Sequence, residues 1–195
     1  MGSAESKRSV PLQAPYVAAK HGLKGFTDTL RLELDHERSD IAVTLILPSS
    51  INTPLFNHAR SKLGVKPQPI PPIYEPRTVA AAILFAAEHP RREVVVGGSG
   101  KLLAVGERLD PSLVDRYMLQ GVRLFRQQQT NEPDDGQDNL FASLAGKGSA
   151  TGQFGQRSQS NSLYTRYLEL HPNRQRALLG TVLLGLLALV RRTGR

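Results

Sequence analysis

Ile41-Ala42-Val43-Thr44-Leu45-Ile46-Leu47 is an uncharged run rich in β-branched side chains and closed by Pro48. A run apolar at both parities reads as a strand buried on both faces, as in a parallel sheet covered by helices. Its surroundings agree. Before it, Tyr16, Ala19, Leu23, Phe26, Leu30 and Leu34 recur in steps of three and four, predicting a long helix that starts after Pro15 and ends near Asp35–Arg38. After it, Val79, Ile83, Leu84 and Ala87 predict a helix over Arg77–Glu88, stopped by His89-Pro90. Glu93-Val94-Val95-Val96-Gly97-Gly98 reads as a second short buried strand, and Pro111–Arg126 as a third helix. Helix, strand, loop, helix, strand is the rhythm of an α/β doubly wound sheet.

Beyond residue 127 the pattern changes. Gln127-Gln128-Gln129 leads into an acidic, Gly- and Ser-containing stretch without periodicity, read as a linker or weakly ordered arm over 128–162. A C-terminal tail, 163–195, carries an uncharged run at 177–190 flanked by Arg174, Arg176, Arg191 and Arg192. As a helix that run spans about 21 Å at roughly 1.5 Å per residue, against about 30 Å of hydrocarbon in a bilayer. Both an anchor or membrane-surface helix and a helix docked on protein stay open. The net charge of +8 comes mainly from arginines of this tail, so it says little about the body and no nucleic-acid partner is expected. The chain has no cysteine, which excludes a disulfide framework and thiolate chemistry and fits a reducing compartment. The first eight residues have no apolar centre and do not read as a signal peptide. The expected location is cytoplasmic, with membrane association through 177–190 as an open addition.

Chemistry concentrates near the start. Tyr16 and Lys20 are spaced i, i+4 at the head of the first helix, so phenol and ammonium share one face. A phenol with a pKa of about 10 is a poor base near neutrality; a fixed cation beside it favours the phenolate. Ser3, upstream, is placed to hydrogen-bond an oxygen that gains charge. The five histidines show neither metal-ligand spacing nor triad partners, and no metal site is expected. Gly97-Gly98-Ser99-Gly100 reads as a turn rather than a phosphate cradle.

Gly2-Ser3-Ala4, Arg8-Ser9-Val10-Pro11-Leu12-Gln13, Tyr16 through Leu34, and the strand running into Pro48 and Ile51-Asn52-Thr53-Pro54 together resemble the catalytic half of the short-chain dehydrogenase/reductase family. The resemblance covers roughly residues 1–120. It implies the C-terminal part of a Rossmann-like doubly wound parallel sheet over 1–127, followed by the arm and the apolar helix. It implies an oxidoreductase that interconverts a carbonyl and an alcohol by hydride transfer with NAD or NADP. Tyr16 would be the proton-exchanging residue. Lys20 would hold the nicotinamide ribose and lower the Tyr16 pKa. Ser3 would orient the substrate oxygen. Pro48, Ile51 and Thr53 would contact the nicotinamide, with Tyr16 and Lys20 completing the cofactor set. Residues 54–74 would form a mobile substrate loop, and helix 16–36 the interface of a homo-oligomer.

Two departures stand out. Ser49 follows Pro48 where the family usually has Gly, and no Gly-rich turn after a first strand is present. The residues implied to choose NAD or NADP, and an Asn of the proton relay, have no counterpart either. The chain is therefore expected to be a truncated or mis-started reductase, poorly stable and inactive alone. The alternative is a non-catalytic membrane-associated or interaction protein derived from such an enzyme.

Overall fold

A computed structural model describes residues 1–120, 122–144, 148–178 and 180–181. In chain order its elements begin with a 3-10 turn (Ala4–Ser6), α1 (Ala14–His36), β1 (Leu45–Pro48), α2 (Leu55–His58), β2 (Val65–Pro67) and β3 (Ile73–Tyr74). There follow α3 (Pro76–Glu88), β4 (Glu93–Val96), α4 (Gly98–Leu109), α5 (Pro111–Gln120), α6 (Val122–Gln127), β5 (Gln129–Pro133), β6 (Ser158–Gln159) and a π turn (Thr165–Glu169).

The centre is the βαβ unit β1–α3–β4. The two strands pair in parallel, Leu45 opposite Glu93 through Pro48 opposite Val96, and a parallel pair requires a crossover such as α3. Alternation along the strands divides their side chains. Ile46, Val94 and Val96 meet Val79, Ala82 and Ala86 of α3, while Leu45, Leu47 and Val95 form the opposite face. Both faces are thus covered, as the apolar run predicts. Regular pairing, however, starts only at Leu45, and Ile41 is 66% exposed. Gly2 donates its N–H to Ile46 O at 2.8 Å, so the first residues run beside β1. A Cβ on Gly2 would come within 2.8 Å of Leu47.

The α1 boundaries follow the sequence, but its buried face does not coincide with the predicted stripe. Val17 and Thr27 are the buried residues, whereas Phe26 is 65% exposed. Among the described residues α1 packs chiefly on the 3-10 turn, so only part of a broad apolar surface finds partners. The second half of the helix is held by Arg31, whose Nε donates to Val43 O at 2.8 Å. Asp28, paired with Lys24, Arg31 and Arg92, has its carboxyl held below the usual range, first by the Lys24 hydrogen bond.

Three features depart from the sequence reading. First, Gly98–Leu109 is a helix, α4, where a turn is predicted. Gly97 takes φ 106° just before it, a conformation that favours glycine. Second, parts of the stretch read as linker or arm are strands: β5 pairs antiparallel with β2, and β6 parallel with β3. Their polar sequences carry no period because side chains on neither face enter a large core. Third, helix is present at residues 172–178, but residue 179 and residues 182–190 of the apolar run lie outside the described residues. The expected apolar helix at 177–190 is therefore not supported, and among the described residues no helix is long and apolar enough to cross a membrane.

Candidate active site

The catalytic candidates meet because two short-range elements place them. Ser3 caps the 3-10 turn, its Oγ accepting from Glu5 N–H at 3.1 Å. Ser6 Oγ returns the favour by accepting from Ser3 N–H at 3.2 Å, so the turn is closed from both ends. Tyr16 and Lys20 rise from the opening of α1, whose first turn contains Pro15, where a missing N–H leaves no bond unmade. Ser3, Tyr16, Lys20, Pro48, Ile51 and Thr53 all line one cavity of about 1070 Å³.

Within it, the Ser3 hydroxyl stands near enough to the Tyr16 phenol to favour its charged form. Lys20 Nζ lies over the Tyr16 ring, 5.3 Å from its centroid. The Tyr16 phenol is held above its ordinary value: burial is the largest cause, the Ser3 hydroxyl opposes it, and the charge of Glu5 adds to it. This corrects the expectation that Lys20 lowers the Tyr16 pKa. Its ammonium sits over the ring face, and desolvation of the phenol dominates.

Glu5 is the residue that sequence reasoning missed. Burial pushes its carboxyl up to about 7, and Oε2 is buried without a hydrogen-bond partner among the described residues. Its place two positions after Ser3 was visible, but nothing local signals burial; the cavity wall creates it. The consequence for stability has a definite sign. Because the folded carboxyl titrates at about 7 against 4.5 ordinarily, the folded state binds the extra proton between those values. Stability should therefore fall as pH rises through that window and level off above it, by on the order of 2–3 kcal/mol. Glu5→Gln is expected to remove this part of the slope when urea unfolding at pH 5 and pH 8 is compared with that of the parent chain.

The turn after β1 is fixed by Asn52, which is 1% exposed. Its N–H donates to Tyr74 O at 2.9 Å and its carbonyl accepts from Gly152 N–H at 3.0 Å. Its Oδ1 accepts from Phe154 N–H at 3.0 Å. Phe154 in turn packs edge-on against Phe56 of α2, with ring centroids 6.0 Å apart. Likewise Gln13 Nε2 donates to Gln128 Oε1 at 2.8 Å, and Gln128 Nε2 to Pro11 O at 3.0 Å. The segment after residue 127 thus braces the walls of the site.

Ser49 turns its hydroxyl toward the start of α4, accepting from Gly100 N–H at 3.1 Å and donating to Gly97 O at 3.3 Å. A Cβ on Gly97 or Gly100 would come within 2.4 Å of that oxygen, so serine here requires both glycines. Gly97 N–H is bonded to Thr165 Oγ1 at 2.9 Å. Protein groups already take amides at this glycine-rich helix start, which disfavours a phosphate cradle there.

A phenol, a hydroxyl and an ammonium thus line one cavity at the end of β1 of the βαβ unit. Residues 1–64 match the family model described as short chain dehydrogenase. The chain is 43% identical over 119 residues to the uncharacterized oxidoreductase YxnA of Bacillus subtilis, covering 60% of this chain and 33% of that protein. It is 36% identical over 128 residues to dehydrogenase/reductase SDR family member 7B of Bos taurus, covering 63% and 39%. With the putative oxidoreductase SadH of Mycobacterium tuberculosis it shares 30% identity over 124 residues, covering 60% and 45%. Over these residues the chain is similar to short-chain dehydrogenases and to oxidoreductases of that family. It spans between about a third and under half the length of these relatives. No solved structure matches it.

Proposed function

We propose that the chain contributes the catalytic residues of an NAD(P)-dependent oxidoreductase that interconverts a carbonyl and an alcohol. The observation that carries this reading is the convergence of Ser3, Tyr16 and Lys20 on one cavity at the end of β1. The donor set there suits the nicotinamide-ribose end of NAD or NADP: Lys20 for the ribose hydroxyls, and the Pro48–Ile51 turn with Thr53 for the carboxamide. When bound, the nicotinamide supplies or accepts the hydride. Among the described residues none forms a cradle for the pyrophosphate, so its phosphates need partners from elsewhere.

The rest of the chemistry falls to this chain. Tyr16, held above its ordinary pKa, is protonated at neutral pH and suited to give its proton to a carbonyl oxygen as negative charge develops there. Ser3 donates a second hydrogen bond to the same oxygen. The arrangement therefore favours reduction over alcohol oxidation near neutrality. A second copy packing on α1, where Phe26 and Leu32 are exposed, completes the reading as a homo-oligomer through helix 16–36.

Carbonyl-dependent consumption of NADH or NADPH by the folded chain tests it. Cooperative unfolding without binding of nicotinamide mononucleotide, the end of the cofactor for which this chain has donors, would instead support the second reading, a non-catalytic interaction protein. That reading is favoured by the occupied amides of Gly97 and Gly100.

A further inference from the structure

The cavity around Tyr16, at about 1070 Å³, is at the upper end of pockets that enclose a drug-sized ligand, roughly 300–1,000 Å³. Its charged side chains stand together: among the described residues Glu5 and Lys20 are the only charged side chains that line it, beside Met1 with its α-ammonium, and both flank Tyr16. The remaining walls are largely apolar, built by Phe56 of α2, Ile70 of the loop, Ile83 of α3, Leu103 of α4, and Val114 and Tyr117 of α5. The α4–α5 wall is pinned to the catalytic end, because Arg8 pairs with Glu107 on α4 and with Asp115 on α5. This apolar surface is thus held in place before any ligand arrives.

We propose that the site takes a neutral carbonyl or alcohol compound with a long apolar body, and rejects substrates whose distal end is charged. The proposal rests on the oxidoreductase reading above for which end of the molecule reacts. Burial along the wall gains roughly threefold to fourfold in affinity for each methylene removed from water. A distal carboxylate or phosphate would lose its hydration against the α4–α5 wall with no cationic side chain facing it, since Lys20 and Met1 lie with Ser3 and Tyr16 at the reacting end.

Calorimetric titration of the full chain with 1-butanol, 1-hexanol, 1-octanol and 1-decanol, and with 10-hydroxydecanoic acid as the charged counterpart, tests this. The dissociation constant should fall roughly threefold per methylene along the series. The hydroxy acid should bind at least about tenfold more weakly than decanol. Ile83→Asp, at a position 41% exposed on α3, can carry a charge without opening the core. It should weaken decanol by about tenfold and leave butanol unchanged. A flat series, a hydroxy acid that binds as well as decanol, or an Ile83→Asp chain with unaltered decanol affinity overturns the proposal. Turnover with NADH or NADPH is read separately. A steep binding series in a chain that neither turns over nor binds nicotinamide mononucleotide removes the oxidoreductase reading and keeps the apolar preference. Turnover of short carbonyls with no dependence on chain length does the reverse.

Discussion

Tyr16→Phe is expected to lower carbonyl reduction by about 10²–10⁴-fold, equal to roughly 3–5 kcal/mol of barrier, while the chain keeps its fold. The substitution removes one oxygen and keeps the ring that lies beneath Lys20. Ser3 still caps its turn through Glu5 N–H, so the unfolding midpoint should move little. The pH dependence carries a second signature. Reduction needs the protonated phenol, and its activity is present below the phenol's pKa and lost above it. Since burial and Glu5 hold that pKa above its ordinary value, the wild-type rate should stay level through pH 9 and fall only in stronger alkali. A wild-type rate that collapses near neutrality would place the proton on another group. Parallel steady-state profiles of wild type and Tyr16→Phe give both answers.

What could be read in advance was what depends on neighbours in sequence. Tyr16 and Lys20 share a face because four residues make about one helical turn, and Ser3 reaches them because a short cap and a helix start leave little freedom between. α3 and β4 were legible because their apolar periods are long or unbroken. α4 was not: Gly98, Gly100 and Gly106 lower helix propensity. Their reasons lie elsewhere in the chain, in Ser49 and Ala4 beside Gly100 and in Val114 beside Gly106. The same holds for Glu5, whose burial belongs to the cavity, and for Asn52, whose partners Gly152 and Phe154 lie far along the chain. The polar stretch after residue 127 misled for a related reason. Its strands are held by backbone pairing to β2 and β3, which leaves no hydrophobic period to find.

The largest stability effect is expected from a residue even further from the site. In a strand, the N–H groups of alternate residues point to opposite sides. Even-numbered residues of β4 face β1, as Ser49 N–H bonding to Val96 O illustrates. The N–H groups of Val95 and Gly97 therefore point to the outer edge, where no third strand pairs among the described residues. Two side chains of the π turn take them instead: Glu169 accepts from Val95 N–H at 2.9 Å, and Thr165 from Gly97 N–H at 2.9 Å. Glu169, only 5% exposed, also accepts from Gln175 Nε2 at 3.0 Å and from the Tyr164 hydroxyl, and pairs with Lys101 at 3.9 Å. Tyr164 is held above its ordinary pKa, first by burial and then by that bond and charge. Leu170 packs on the core beside them, so the clamp has an apolar foot. Glu169→Ala strands a strand amide and a phenol at once and should cost about 3–5 kcal/mol, a large share of the roughly 5–15 kcal/mol that a domain has. Glu169→Gln keeps one acceptor and should cost about half as much. Denaturant midpoints give the totals, and amide exchange at Val95 locates the loss. Unchanged protection of Val95 in the alanine variant would mean that this edge is closed by something other than Glu169.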